Sequence, residues 1–210
     1  GPDEHFLINP VGMMFEEMTA SCLVKVDIDG NILSESEFGI NPAGYTIHSA
    51  VHMGRKDAGC VMHTHTAAGL GVATQKSGLL PLTQMALAVI AQTGYHDYEG
   101  PAFDLRERDR LINDLASNNV LILRNHGLLT VGKTVAEAFV WLVRAERACR
   151  FQLSFQQAGA PAQEIPKEVQ DISIERSKKA ISASGHRPIG QFEWPALLRK
   201  LNRENPGYAQ

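Results

Sequence analysis

Residues 120–131 read Val120-Leu121-Ile122-Leu123-Arg124-Asn125-His126-Gly127-Leu128-Leu129-Thr130-Val131. Four consecutive apolar residues closed by turn-forming ones mark a strand buried on both faces, and Leu128–Val131 continues extended after the break. Upstream, Cys60–Met62 is a second strand that ends in His63-Thr64-His65-Thr66. Residues two apart on a strand share a face, so His63 and His65 point to one side. His126 also follows a buried strand, and Gly127 behind it permits a tight turn. If Val120–Leu123 lies beside Cys60–Met62, three imidazoles meet.

Neutral imidazole is a natural zinc ligand, and a catalytic zinc site commonly has three protein ligands and one open position. A His-x-His pair is weakly specific when taken alone, and a lone loop histidine often does no more than hydrogen-bond. His48 and His52 are spaced i, i+4 on a helix, with His48 expected beneath the site and His52 towards solvent.

The surrounding pattern is mixed α/β. Phe6–Ile8 is a short strand, and Leu23–Ile28 alternates and turns through Asp29-Gly30-Asn31 into Ile32–Leu33. Helical spacing is expected over Tyr45–Arg55, over the small-residue run Ala67–Thr74, and over Leu105–Leu115. In the last of these Leu105, Leu111, Ile112 and Leu115 form the apolar side, with Arg106, Glu107 and Arg110 exposed. Thr134 and Glu137 form a capping box for a long helix from Val135 to about Phe155, stopped by Gly159-Ala160-Pro161. Helices near Val169–Ala183 and Trp194–Asn202 complete a more polar end. The expected organisation is one α/β domain over 1–160 and a helical tail over 161–210.

The chain has 210 residues, with 44% hydrophobic and 20% charged. Its mean hydropathy is -0.15. These values describe a folded domain with a real core and exclude disorder as a global description. No apolar run approaches the roughly 18 residues of a membrane span. The 20 basic and 23 acidic residues give -3 without a basic cluster, which argues against a nucleic-acid partner. The odd, dispersed cysteines Cys22, Cys60 and Cys149 read as reduced thiols, hence a cytoplasmic protein. The opening Gly1-Pro2-Asp3-Glu4 has no Met and reads as a loop part-way through a longer chain.

Val61-Met62-His63-Thr64-His65-Thr66, followed by Val120–Leu128, resembles the class II aldolase/adducin family. Phe6–Gly12, Val24–Asn31, Asn41–His48 and Tyr95–Gly100 fit the same alignment, closest to its adducin head-domain branch. The resemblance implies a three-layer α/β/α sandwich around a central mixed, largely antiparallel sheet, assembled as a homotetramer. It also implies that His63, His65 and His126 hold a divalent metal, zinc first, with Mn2+ or Fe2+ as alternatives. Such a metal acts as a Lewis acid on a small hydroxy or oxo substrate in lyase-type chemistry. Sugar-phosphate aldolases of the family carry Ser-Ser-Glu just before the position of His48, where this sequence has Pro42-Ala43-Gly44. Gly44 therefore supplies no acid/base and Ala43 no phosphate-binding hydroxyl.

Two functions are expected on this basis. One is a metal-dependent lyase-type enzyme without the usual Glu, and the other is a non-catalytic adducin-like oligomerisation module with a vestigial or structural metal. Tyr45 and the polar run His96-Asp97-Tyr98-Glu99 are open as pocket residues, the latter read more simply as a surface turn. Phe139, Trp141 and Leu142 read as core or subunit contact, and Gly69 and Gly71 as close helix packing. Met13-Met14-Phe15 reads as an exposed apolar patch.

Overall fold

A computed structural model of the chain describes residues 5–102 and 104–210. The opening Gly1–Glu4 loop expected from the sequence lies outside the described residues. Strand β1 (His5–Ile8) pairs antiparallel with β2 (Val24–Asp27), and Ile32 bridges back to Val26 as the Asp29-Gly30-Asn31 turn requires. The Asp27 carboxylate accepts the Asp29 and Asn31 backbone N–H groups and so holds that turn.

The main sheet contains β3 (Cys60–Thr64), β4 (Thr93–His96), β5 (Val120–Leu123) and β6 (Gly127–Gly132) in the order β3-β6-β5-β4. The β3–β6 and β5–β6 pairs are antiparallel, and β4–β5 is parallel. The sheet is therefore mixed and largely antiparallel. All four residues of β5 and all six of β6 are buried, as befits the two central strands.

Helices cover both faces. On one, α2 (Ala67–Ala73), α3 (Gln84–Ile90) and α5 (Val135–Ala158) pack against Val120, Ile122 and Leu128. On the other, α1 (Pro42–Gly54) and α4 (Glu107–Leu115) pack against Val61, Leu121, Leu123, Leu129 and Val131. Alternate residues of β5 thus feed opposite cores, which is the period-2 rule applied to a doubly covered strand. Thr134 caps α5 by accepting the Glu137 N–H, and Gly159 ends it in the left-handed region at φ 63. Helices α6 (Lys167–Ile181) and α7 (Glu193–Glu204) follow, and Ile181 and Ile189 pack against the first core. Phe139 meets Trp194 of α7 edge to face, with centroids 5.8 Å apart, so this aromatic group joins α5 to the tail.

Several expectations change. Helix α1 begins at Pro42, because Asn41 caps it with its side chain and proline suits the first helical position. Leu105 lies before α4 and is 52% exposed, whereas Glu107 is buried. The reversal has one cause: the Glu107 carboxylate meets His96, the last residue of the unforeseen strand β4. His96 is 3% exposed, with Nδ1 2.7 Å from Asp114 Oδ2 and Nε2 3.2 Å from Glu107 Oε1. It ties β4 to α4 and is no surface turn. His52 does not face solvent freely. It is half-buried, stacks on Phe6 at 4.7 Å, and places Nδ1 3.1 Å from the Ala58 carbonyl. Gly69 and Gly71 lie against Leu128 and Leu153, where a Cβ would come within 3 Å, so they serve close packing.

Candidate metal centre

The strand order brings the three histidines together by a different route from the expected one. Strand β5 is not the neighbour of β3; β6 lies between them. His126 reaches the site because it occupies the β5–β6 turn, immediately before the strand that does pair with β3. Leu123 faces Gly127 across that hairpin, and His126 N–H donates to the Leu123 carbonyl at 3.0 Å. Asn125 takes φ 58, a conformation asparagine tolerates, and its N–H donates to Ala73 at the end of α2. Arg124 N–H donates to the His96 carbonyl at 2.8 Å. The turn is thus fixed to α2 and β4 as well as to its own strands.

Gly127 sits at φ +151, and a Cβ there would come 2.3 Å from the Thr64 carbonyl oxygen. Only glycine lets the turn lie this close to the residue between His63 and His65. The ring centroids of His63, His65 and His126 are consequently 4.7–4.8 Å apart, and all their candidate ligand atoms lie within 4.8 Å of one another. Tetrahedral zinc–nitrogen bonds of about 2.0–2.1 Å require nitrogens about 3.3 Å apart. The trio is already gathered to that scale.

The donor chemistry also fits a cation. His63 Nδ1 lies 3.0 Å from the Leu128 carbonyl, so it carries the proton and leaves Nε2 with a free lone pair. That Nε2 stands 2.8 Å from His65 Nε2. Burial drives the His63 pKa down to about 3, with His126 opposing its charge as the next cause. His126 is also lowered, by burial first and then by the nearby His65 and His96. Both are therefore held as neutral imidazoles, the form that binds metal. His65 is exposed and opens one side of the site to solvent.

Other residues sort around this core. His48, expected beneath the site, is driven down to about 4 by burial and by His52, and its charge is a minor cause of the lowering at His63. Tyr45 turns away: its ring stacks with Phe6 and its hydroxyl donates to the Ile28 carbonyl, so it belongs to the packing of β1 and β2 on α1. Tyr98 is 55% exposed, and its ring lies 6.4 Å from that of His126. Glu99 pairs with Arg110, and Asp97 with Arg124. Gly44 lies in the first turn of α1, where an added Cβ would come no nearer than 3.6 Å to Asn41. A contact without any local sequence signal joins Thr66, next to His65, to Glu146 of α5: Thr66 Oγ1 donates to Glu146 Oε2 at 2.5 Å.

Residues 1–153 match the family model described as the class II aldolase and adducin N-terminal domain. The chain belongs to the class II aldolase and adducin family. A solved structure of an aldolase II superfamily protein from Pseudomonas syringae superimposes with TM-score 0.90 at 48% identity, covering 99% of this chain and 82% of that one. L-fuculose 1-phosphate aldolase from Glaciozyma antarctica gives TM-score 0.81 at 25% identity, over 99% of this chain and 78% of that chain. Alpha-adducin from Rattus norvegicus is 40% identical over 98% of this chain, which spans 29% of the adducin. This class II aldolase and adducin family member thus has a named aldolase and an adducin among its relatives, and its fold is the α/β/α sandwich of the class.

Proposed function

We propose that the chain is a divalent-metal-dependent, lyase-type enzyme acting on a small hydroxy or oxo compound, with His63, His65 and His126 as the ligands of a zinc ion. The observation that supports this reading most is the convergence of three imidazoles, two of them held neutral, around one point with an open side. The bound metal would supply Lewis-acid polarisation of a substrate oxygen.

The chain's own residues set what can be done there. Leu128 fixes the His63 ring, and Gly127 keeps the β5–β6 turn close to β3. Position 44 offers no proton-transfer group, and a positioned carboxylate contributes roughly 10²–10⁴-fold to rate. Activity on sugar phosphates is therefore expected to be very low, while non-phosphorylated oxo or hydroxy acids are the favoured class. We also propose self-association as a homotetramer, the assembly that the family resemblance implies, with Phe15, 80% exposed, as a contact residue. The second reading, an adducin-like oligomerisation module, is favoured by the 40% identity to alpha-adducin and by the vacancy at Gly44.

The test is metal analysis of protein purified without chelators, beside His65→Ala. One zinc per chain, lost in His65→Ala with the fold retained, supports the site. A metal-free parent chain would remove it. Catalysis is tested with Gly44→Glu, whose Cβ would make only ordinary contact with Asn41, against the parent on fuculose and ribulose phosphates. A rise of about 10²-fold or more is expected. Robust turnover by the parent would show that another group supplies the base.

A further inference from the structure

A groove of about 810 Å³ runs between α3, α5, α6 and α7, sharing no residue with the histidine cluster. Its volume falls in the range of small-molecule sites, about 300–1,000 Å³. Two kinds of side chain face it. Met85, Val143 and Leu197 give it an apolar floor, and Val143 remains 37% exposed there. Four cations, Arg144, Arg147, Arg187 and Lys200, also line it, against the single lining carboxylate of Glu193, whose Oε2 is itself buried and without a partner among the described residues.

The cations are poorly served by the protein itself. Arg144 and Arg187 both turn to one oxygen, Glu193 Oε1, at 3.3 and 3.4 Å, long contacts for charged partners. Each guanidinium has five N–H donors, so most are left over. Lys200 pairs with Glu204 in an exposed i, i+4 contact. Among the described residues Arg147 has no acceptor, and it is exposed beside Val143. Apolar side chains beside an excess of cations, one of them also lying over the Trp141 ring, complement one ligand chemistry: a negative head on an apolar body.

We propose that this groove is a second binding site, for an organic carboxylate with an acyl-type apolar chain, whose head is held by Arg147 and Arg187 and whose chain lies on Val143 and Leu197. The combination excludes simpler occupants. A bare inorganic anion leaves the floor wet, and a neutral amphiphile leaves the cations unpaired. Helix α7 and the segment before it supply Arg187, Leu197 and Lys200, so the tail forms one wall of the site.

Isothermal titration calorimetry of the full chain with octanoate tests this, with octanamide and inorganic phosphate as comparison probes. Saturable octanoate binding at or below about 1 mM is expected, at least tenfold tighter than either comparison probe. Arg147→Gln/Arg187→Gln should weaken octanoate at least tenfold with zinc content and particle size unchanged. Val143→Asp, which puts a negative charge on the floor, should abolish binding, with circular dichroism confirming the fold. Absence of octanoate binding, equal binding of octanamide or phosphate, or insensitivity to the double variant overturns the proposal. So does a change of oligomeric state in the double variant, because the groove would then be an interface between copies. None of these outcomes bears on the metal centre, whose zinc content is read separately.

Discussion

Replacing Gly127 with alanine should damage the fold and the metal centre together. At φ +151 a side chain is strained whatever the available space, and the added Cβ meets the Thr64 carbonyl oxygen at 2.3 Å and His65 Cδ2 at 3.3 Å. Ordinary van der Waals contact begins about 1 Å beyond the first of these distances, so the β5–β6 turn and the end of β3 must separate by about that much. Backbone strain of this kind costs of order 1–3 kcal/mol, and overpacking adds a similar amount. A loss of about 3 kcal/mol leaves a domain of ordinary stability folded. The same movement carries His126 away from His63 and His65, whose nitrogens must meet a fixed zinc–nitrogen length. Zinc affinity should fall on the order of 10–100-fold, the scale at which disturbed ligand positioning is felt. Urea denaturation in the presence of chelator reads the first effect, and a zinc competition titration reads the second. Gly39→Ala is the control, since nothing lies within 4 Å of a Cβ there. A Gly127→Ala protein within about 0.5 kcal/mol of its parent and with unchanged zinc affinity would refute the reasoning.

Two further outcomes follow from buried groups beside the site. His48 and His63 are depressed to about 4 and about 3 in the folded chain, while an unfolded imidazole titrates near 6.5. Below pH 6.5 the unfolded state binds more protons, so the metal-free protein should lose stability as pH falls, by about 2 kcal/mol for each ring at pH 5. Urea midpoints at pH 7.5 and pH 5 in chelator measure this, and equal midpoints would show that the rings are not held neutral by burial. Glu146→Leu should weaken zinc binding on the order of tenfold by freeing Thr66, next to His65, whereas Glu146→Gln keeps an acceptor for the Thr66 hydroxyl and should retain most of the affinity. Competition titration separates the two variants.

The parts of this fold that can be read from the sequence are those with a strong local period. The run Val120–Leu123 announces a central strand because both its faces are covered, and Thr134 with Gly159 brackets α5 through cap chemistry that needs no tertiary partner. Strand β4 escaped because Thr93-Gly94-Tyr95-His96 has no apolar alternation. Its burial comes from Gly94 lying 2.3 Å, at its would-be Cβ, from the Asp114 carbonyl, and from His96 meeting two carboxylates of α4. Those are long-range facts, and they also explain why Glu107 reads as a surface charge when it is a buried partner. The histidine trio was legible through spacing and family resemblance, but the strand order was not. Register and order depend on pairings across the chain, and either β5 or β6 could have lain beside β3 on local grounds.

The three proposed ligands and the glycine at position 44 carry different physical weight. An imidazole trio kept without an ion is poorly satisfied. His63 Nδ1 already donates to Leu128, so its Nε2 can only accept, and His65 Nε2 at 2.8 Å must be the donor. His126 then brings a third ring nitrogen into the same small space, lowered by burial and by its neighbours, without an assigned donor within the trio. A divalent cation at the centre satisfies all three lone pairs at once. By contrast, the glycine at position 44 leaves no polar atom of its own unmet, since its N–H faces the Asn41 cap at 3.5 Å; beside it the Arg108 guanidinium lies over the Tyr45 ring with two buried nitrogens that have no partner among the described residues. The proposed metal site therefore stands on the geometry of the trio and does not depend on whether the chain turns over a substrate. Metal content separates a site from no site, and only the Gly44→Glu comparison separates an enzyme from an assembly module.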